Sequence, residues 1–171
     1  MRYGQIRRYD IANGVGIRSS IFVTGCTHHC PECFNLEYQD FHAGKLWTDQ
    51  ETALIIRYLK DDNVEGLTLL GGEPMQNTDG LIPIVRAIKK EVHKNIWVYS
   101  GYTWEEILAD PRRTELLKEC DVLVDGRFVN ALKDPMLRFR GSSNQRVIDI
   151  QKSLAEGKVV LYRDEITGEV M

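Results

Sequence analysis

Short apolar runs that alternate with segments of helical periodicity constrain this chain more than any other feature. Residues 19–24 (Ser-Ser-Ile-Phe-Val-Thr), 66–70 (Gly-Leu-Thr-Leu-Leu), 95–100 (Asn-Ile-Trp-Val-Tyr-Ser) and 122–125 (Val-Leu-Val-Asp) read as buried strands. Between the first two, Leu54, Ile55, Tyr58 and Leu59 recur at helical spacing behind the capping box Thr48-Asp-Gln-Glu51. A second helix is expected over about 80–92, with Pro83 in its first turn, and a second capping box, Thr103-Trp-Glu-Glu106, opens a third. Pro111 interrupts that pattern, and residues 114–119 add another helical turn. Residues 146–149 and 158–162 are the expected fifth and sixth strands. Strand–helix alternation with short connections means right-handed βαβ units and a parallel sheet, so the class is α/β. Six strands are too few for a closed eight-stranded barrel.

The 171 residues suit one domain, 1–171, long enough to bury about 70% of its unfolded surface. A net charge of −3 gives no reason to expect general nucleic-acid or membrane affinity. No apolar run approaches the ~20 residues of a membrane span. The start, Met1-Arg-Tyr-Gly-Gln-Ile-Arg-Arg-Tyr-Asp10, is too polar for a secretory signal, so a cytoplasmic location with reduced thiols is expected.

The thiols are unevenly spread. Cys26, Cys30 and Cys33 fall within eight residues just after the first strand, and Cys120 stands alone before the fourth. One short loop can therefore offer three thiolates to a metal centre. Soft sulfur ligands select zinc, copper(I) or an iron–sulfur cluster. A zinc site would want a fourth ligand from His28, His29 or Cys120; a cubane cluster on three thiolates would leave one iron open. Cys120 reads as an inert core thiol, and both histidines read as hydrogen-bonding or solvent-facing residues.

Further residues of interest stand at strand ends. Gly71-Gly72-Glu73-Pro74 is a tight turn whose carbonyls and carboxylate could accept hydrogen bonds from an ammonium, with glycines allowing close approach. Tyr99-Ser-Gly-Tyr-Thr103 runs from a strand into the Thr103 cap, and Asp125 precedes Gly126. A polar loop from Arg127 to Arg146 carries Phe128, Arg138, Phe139 and Arg140, types that anchor interfaces. It lacks the several stacking aromatics that single-stranded nucleic acid requires.

The C-x3-C-x2-C spacing of Cys26, Cys30 and Cys33 resembles the signature of the radical S-adenosylmethionine (SAM) enzymes. The turn Gly71-Gly72-Glu73-Pro74, the segment Tyr99-Ser-Gly-Tyr-Thr103 and Arg140-Gly-Ser-Ser-Asn-Gln-Arg146 extend the likeness. Asn13-Gly-Val-Gly-Ile-Arg18, Cys30-Pro-Glu-Cys-Phe-Asn35, Ile96-Trp-Val-Tyr-Ser-Gly-Tyr102, Val122-Leu-Val-Asp-Gly-Arg-Phe128 and Asp134-Pro135 are similar to one subfamily, the activating proteins of anaerobic (class III) ribonucleotide reductase. The likeness runs roughly from residue 9 to 162.

The resemblance implies an incomplete (β/α)6 radical-SAM barrel with parallel strands. It implies that Cys26, Cys30 and Cys33 hold three irons of a [4Fe-4S] cluster and that SAM chelates the fourth. Gly71, Gly72, Glu73 and Pro74 would bind the methionyl amino group, with Ser100 and Thr103 beside the ribose and carboxylate and Asp125 close by. The family often carries an aromatic just before the third cysteine, packed on the adenine; Glu32 stands there, and Phe34, just after Cys33, is the aromatic candidate. The implied activity is reductive cleavage of SAM to methionine and a 5′-deoxyadenosyl radical, fed by a flavodoxin-type donor. That radical would take hydrogen from a glycine on the large reductase subunit. In this scheme the cluster and SAM carry the chemistry, with no catalytic side chain. Two alternatives stay open: a radical-SAM enzyme acting on a small molecule, such as a deazapurine-forming synthase, and a zinc-bound interaction module.

Overall fold

A seven-stranded mixed sheet frames the computed structural model, which describes residues 1–33, 35–165 and 167–171. The strands are β1 (Arg2–Asp10), β2 (Arg18–Val23), β3 (Lys45–Leu46), β4 (Gly66–Gly71), β5 (Asn95–Tyr99), β6 (Val122–Asp125) and β7 (Arg146–Asp149), in the order β3-β1-β2-β4-β5-β6-β7. The helices are α1 (Asp49–Leu59), α2 (Thr78–Glu91), α3 (Trp104–Leu108), α4 (Pro111–Lys118) and α5 (Ile150–Glu156).

Side chains alternate across the sheet, as the period of two requires. Ile21, Val23, Leu67, Leu69, Ile96, Val98, Leu123 and Ile148 join the helices in the main core. Trp97, Val122, Val124 and Val147 face the other way, where loops rather than helices cover them. The functional candidates lie on this second side. Arg18 anchors its lower end: fully buried, it donates to Thr68 Oγ1 at 2.8 Å, Leu67 O at 2.8 Å and Asn95 Oδ1 at 2.7 Å, tying β2, β4 and β5 at their N-terminal ends. Burial pulls its pKa down to about 10.

The parallel centre matches expectation, because β2, β4, β5 and β6 pair in parallel. The edges correct it. β1 pairs antiparallel with both β2 and β3, and β7 pairs antiparallel with β6. A parallel return needs a crossover, usually helical. Between β6 and β7 the described chain holds only the 3-10 turn Asn130–Leu132, and it comes back beside β6 in the opposite sense. β1 escaped the sequence reading because its burial is partial and follows no apolar alternation. The expected sixth strand over 158–162 forms only the isolated bridge Leu161 to Ile148. The sheet therefore has a linear order with β3 and β7 at opposite ends, and its edge strands are antiparallel where parallel strands were expected.

Both capping boxes form, with Thr48 and Thr103 as N-caps. The second helix starts two residues earlier than expected, so Pro83 lies beyond the first turn of α2, on its exposed side. The helical pattern breaks before Pro111 as expected, and the proline opens α4 behind the Asp110 cap, three residues ahead of the expected turn, since a first-turn proline loses no intrahelical bond. Among the described residues no helix is long and apolar enough to cross a membrane.

Candidate functional site

The cysteine loop leaves the C-terminal end of β2 through Gly25, whose φ of 104° belongs to the left-handed half of backbone space. Backbone bonds from Gly25 N to Tyr38 O (2.8 Å) and from Cys26 N to Gln39 O (3.0 Å) pin the loop where it departs. His29 and Glu32, at φ of 50° and 58°, curl the chain between them. The three thiols are free and part-buried, and they line one cavity of about 480 Å³ with Gly71, Gly72, Glu73 and Ser100. Cys120 is far from this in character. It is fully buried, its thiol is directed to Leu116 O, and burial raises its pKa, as an inert core thiol requires.

Backbone N–H groups face the sulfurs. Asn35 N donates to Cys33 Sγ at 3.4 Å. Burial pushes the Cys26 thiol up to about 11, against the His28 N–H that faces its sulfur. Burial raises Cys30 as well, opposed by the Phe128 N–H from the loop after β6. A cation or cluster binding there must displace protons, and the amides then stabilise the thiolate charge. Three thiols on one wall with amide donors fit a sulfur-ligated cluster.

Glu73 lines the cavity but is also engaged within the chain. Its carboxylate is 1% exposed and already accepts from Met75 N (2.8 Å), Gly101 N (2.6 Å), Ser100 Oγ (2.9 Å) and the His28 ring Nε2 (2.7 Å). It stitches β4, β5 and the cysteine loop together. The glycines beside it are needed for strand packing rather than only for a ligand. A Cβ on Gly71 would stand 2.6 Å from Val23 O, and one on Gly72 would stand 2.5 Å from Tyr38 O. Ser100 lines the cavity while its hydroxyl binds Glu73.

Pro74, Thr103 and Asp125 are not among the residues lining the cavity. Pro74 is buried at the start of a 3-10 turn, and Thr103 is occupied as the α3 cap. Asp125, 1% exposed, accepts from Trp104 N (2.8 Å) and from Arg146 Nη2 (2.6 Å), an interaction that holds the arginine's pKa up. Phe34 lies outside the described residues.

The loop after β6, whose arginines and phenylalanines are of types that anchor interfaces, supplies a wall of the cavity. Phe128, Leu137, Phe139, Arg140 and Gln145 line the cavity, and Phe139 packs edge-on against Trp97 at 5.2 Å. Arg138 pairs with Asp164 (3.3 Å) and Glu169 (3.2 Å), so its charge is engaged within the chain. Asn13 and Tyr99 line the same cavity and were not singled out, although both stand in segments that were. Among the described residues the Tyr99 hydroxyl and Arg140 Nε are buried without a hydrogen-bond partner.

Comparison with known proteins bears on this arrangement. The family model for a 4Fe-4S single cluster domain matches residues 12–148. The chain is 42% identical over 150 residues to the anaerobic ribonucleoside-triphosphate reductase-activating protein of Haemophilus influenzae, covering 85% of this chain and 96% of that one. The chain belongs to this activating-protein family. The Escherichia coli K12 member is 40% identical over 152 residues, covering 86% of this chain and 97% of its own. The member from Enterobacteria phage T4 is 36% identical over 150 residues, covering 86% and 93%. In this family the cysteine loop belongs to a 4Fe-4S domain, and the matched span takes in the cysteine loop, both strand-end turns and the loop after β6.

Proposed function

We propose that this chain is a SAM-cleaving activating enzyme that generates a glycyl radical on the large subunit of an anaerobic ribonucleotide reductase. The observation that carries the reading is the convergence of Cys26, Cys30 and Cys33 with the ends of β4 and β5 on one cavity. That the relatives are reductase-activating proteins supports it. Cys26, Cys30 and Cys33 would hold three irons of a [4Fe-4S] cluster, which supplies the electron that cleaves SAM to methionine and the carbon radical that takes hydrogen from glycine.

The chain's own part is binding, orientation and exclusion of water. Amide donors to the sulfurs stabilise negative charge and help set the potential. A volume of about 480 Å³ falls within the range of small-molecule sites. Gly71, Gly72 and Ser100 line the cavity with the thiols, and Phe34 is the aromatic candidate for the adenine. Glu73, Pro74, Thr103 and Asp125 serve by holding the strand ends that bound the cavity. Phe128, Leu137 and Phe139 give the opposite wall an apolar surface that keeps water from a reactive carbon radical. The unpartnered Tyr99 hydroxyl and Arg140 Nε mark a polar region of the same wall, suited to the polar ends of SAM. The open sheet is read as a shortened form of the incomplete (β/α)6 barrel. A flavodoxin-type protein is the proposed donor, and the cytoplasm, where thiols stay reduced, is the proposed compartment.

The test is metal analysis after anaerobic reconstitution, with deoxyadenosine and glycyl radical counted in the same samples. Cys26→Ala, Cys30→Ala and Cys33→Ala should each lose stoichiometric iron, sulfide and SAM cleavage. Cys120→Ala should keep all three. Zinc without sulfide in the native protein would sink the reading.

A further inference from the structure

His28 sits between two cluster-ligand positions and lines the same cavity as the thiols, while its ring reaches Glu73. The imidazole is 5% exposed, with Nε2 at 2.7 Å from Glu73 Oε1. The carboxylate already accepts from Met75 N and Gly101 N, so Nε2 is read as the donor in this bond. The ring meets Tyr102 edge-on at 4.5 Å and lies against Gly101, where an added Cβ would stand 2.6 Å from His28 Cδ2. That near-contact gives Gly101 a reason to be glycine despite an ordinary φ. Its neighbour His29 is exposed and, among the described residues, makes no such bridge.

The carboxylate that receives His28 is itself held by Met75 N, Ser100 Oγ and Gly101 N, from segments that follow β4 and β5. One residue of the cysteine loop is thus tied to the strand ends on the cavity wall. A second tie lies one residue earlier, where Thr27 and Gln76 bond reciprocally at 3.0 and 2.7 Å.

We propose that His28 is a positioning residue that locks the cysteine loop onto the cavity wall through Glu73. Its geometric part stands on the bonds above, and its consequence for SAM rests on the function proposed in the preceding subsection. When the bond is made, the thiols are held in register with the strand ends. Without it, the loop retains its cysteines but loses that register.

Two variants separate the bond from mere packing. His28→Gln keeps an N–H near the Nε2 position, whereas His28→Ala removes donor and ring. In metal-free protein, hydrogen exchange of the amides in residues 26–33 should rise about tenfold in His28→Ala, the effect of one charge-assisted hydrogen bond. It should stay close to wild type in His28→Gln. In protein loaded with iron and sulfide, His28→Ala should bind SAM about tenfold more weakly. The change that SAM induces in the paramagnetic resonance spectrum of the reduced cluster should shrink with it. His28→Gln should restore both. Unchanged exchange in His28→Ala, or an equal rise in both variants, would overturn the proposal. If His28→Ala does not fold, His28→Leu against His28→Gln reads the same contrast, since leucine fills space without a donor. Wild-type protein that took up no cluster and no SAM would overturn the function instead, and the exchange measurement would still judge His28.

Discussion

Replacing Glu73 with Gln keeps the shape of the side chain but turns one acceptor oxygen into a donor. That NH2 would then confront N–H groups from Met75 or Gly101 in a region with almost no solvent. A buried donor left facing a donor costs about 1–3 kcal/mol. Urea unfolding of metal-free Glu73→Gln should show a loss of about 2 kcal/mol. No loss would mean that the carboxylate serves a ligand alone. Asp10 makes a case for pH. Burial raises its carboxyl, but the Asn13 amide, the Ser20 hydroxyl and the Ala12 N–H outweigh burial and leave its pKa below the ordinary value. A carboxylate depressed in the folded state stabilises above its unfolded pKa of about 3.9 and loses that stabilisation as pH falls through the lower folded value. The stability gap between wild type and Asp10→Asn should therefore be full at pH 6 and close below about pH 3.9, measured by urea unfolding at each pH.

At the scale of elements, the loop from β6 to β7 decides most. It carries the antiparallel return and walls the cavity that the thiols share. Its composition, rich in arginine with interspersed phenylalanine, fits an interface equally well on sequence grounds. The structure turns those side chains inward: Phe139 onto Trp97, Arg138 onto Asp164 and Glu169, Arg146 onto Asp125. Arg138→Ala should accordingly lower the unfolding midpoint modestly, by the ~1 kcal/mol of a partly exposed pair. Any loss of glycyl radical in that variant should be matched by an equal loss of SAM cleavage without partner. A selective loss of the radical on the partner, with cleavage intact, would restore Arg138 to a docking role.

Across the whole molecule, helices cover one face of the sheet and loops cover the other. The last segment closes this second layer, with Tyr162 edge-on to Trp97 at 5.3 Å and Met171 packed against the same cluster. Ending the chain at Gly157 should expose Trp97 to acrylamide quenching and lower the thermal midpoint; an unquenched Trp97 would show that the loop after β6 suffices. The central strands, the helices and both capping boxes were legible because each depends on periodicity or on partners three or four residues away. The thiol triplet was legible for the same reason, since its spacing is local. β1 and the sense of β7 were not, because strand pairing joins residues far apart and a polar edge strand carries no alternation. The same limit separates the roles of neighbouring acceptors. Residue order determined that Glu73 and Asp125 stand at strand ends, but only packing decided that Met75, Ser100, Gly101 and His28 saturate the first and Arg146 the second. A buried carboxylate takes whatever donors the fold brings within 3 Å, and apart from the local Met75 N–H those donors come from segments that meet only in three dimensions.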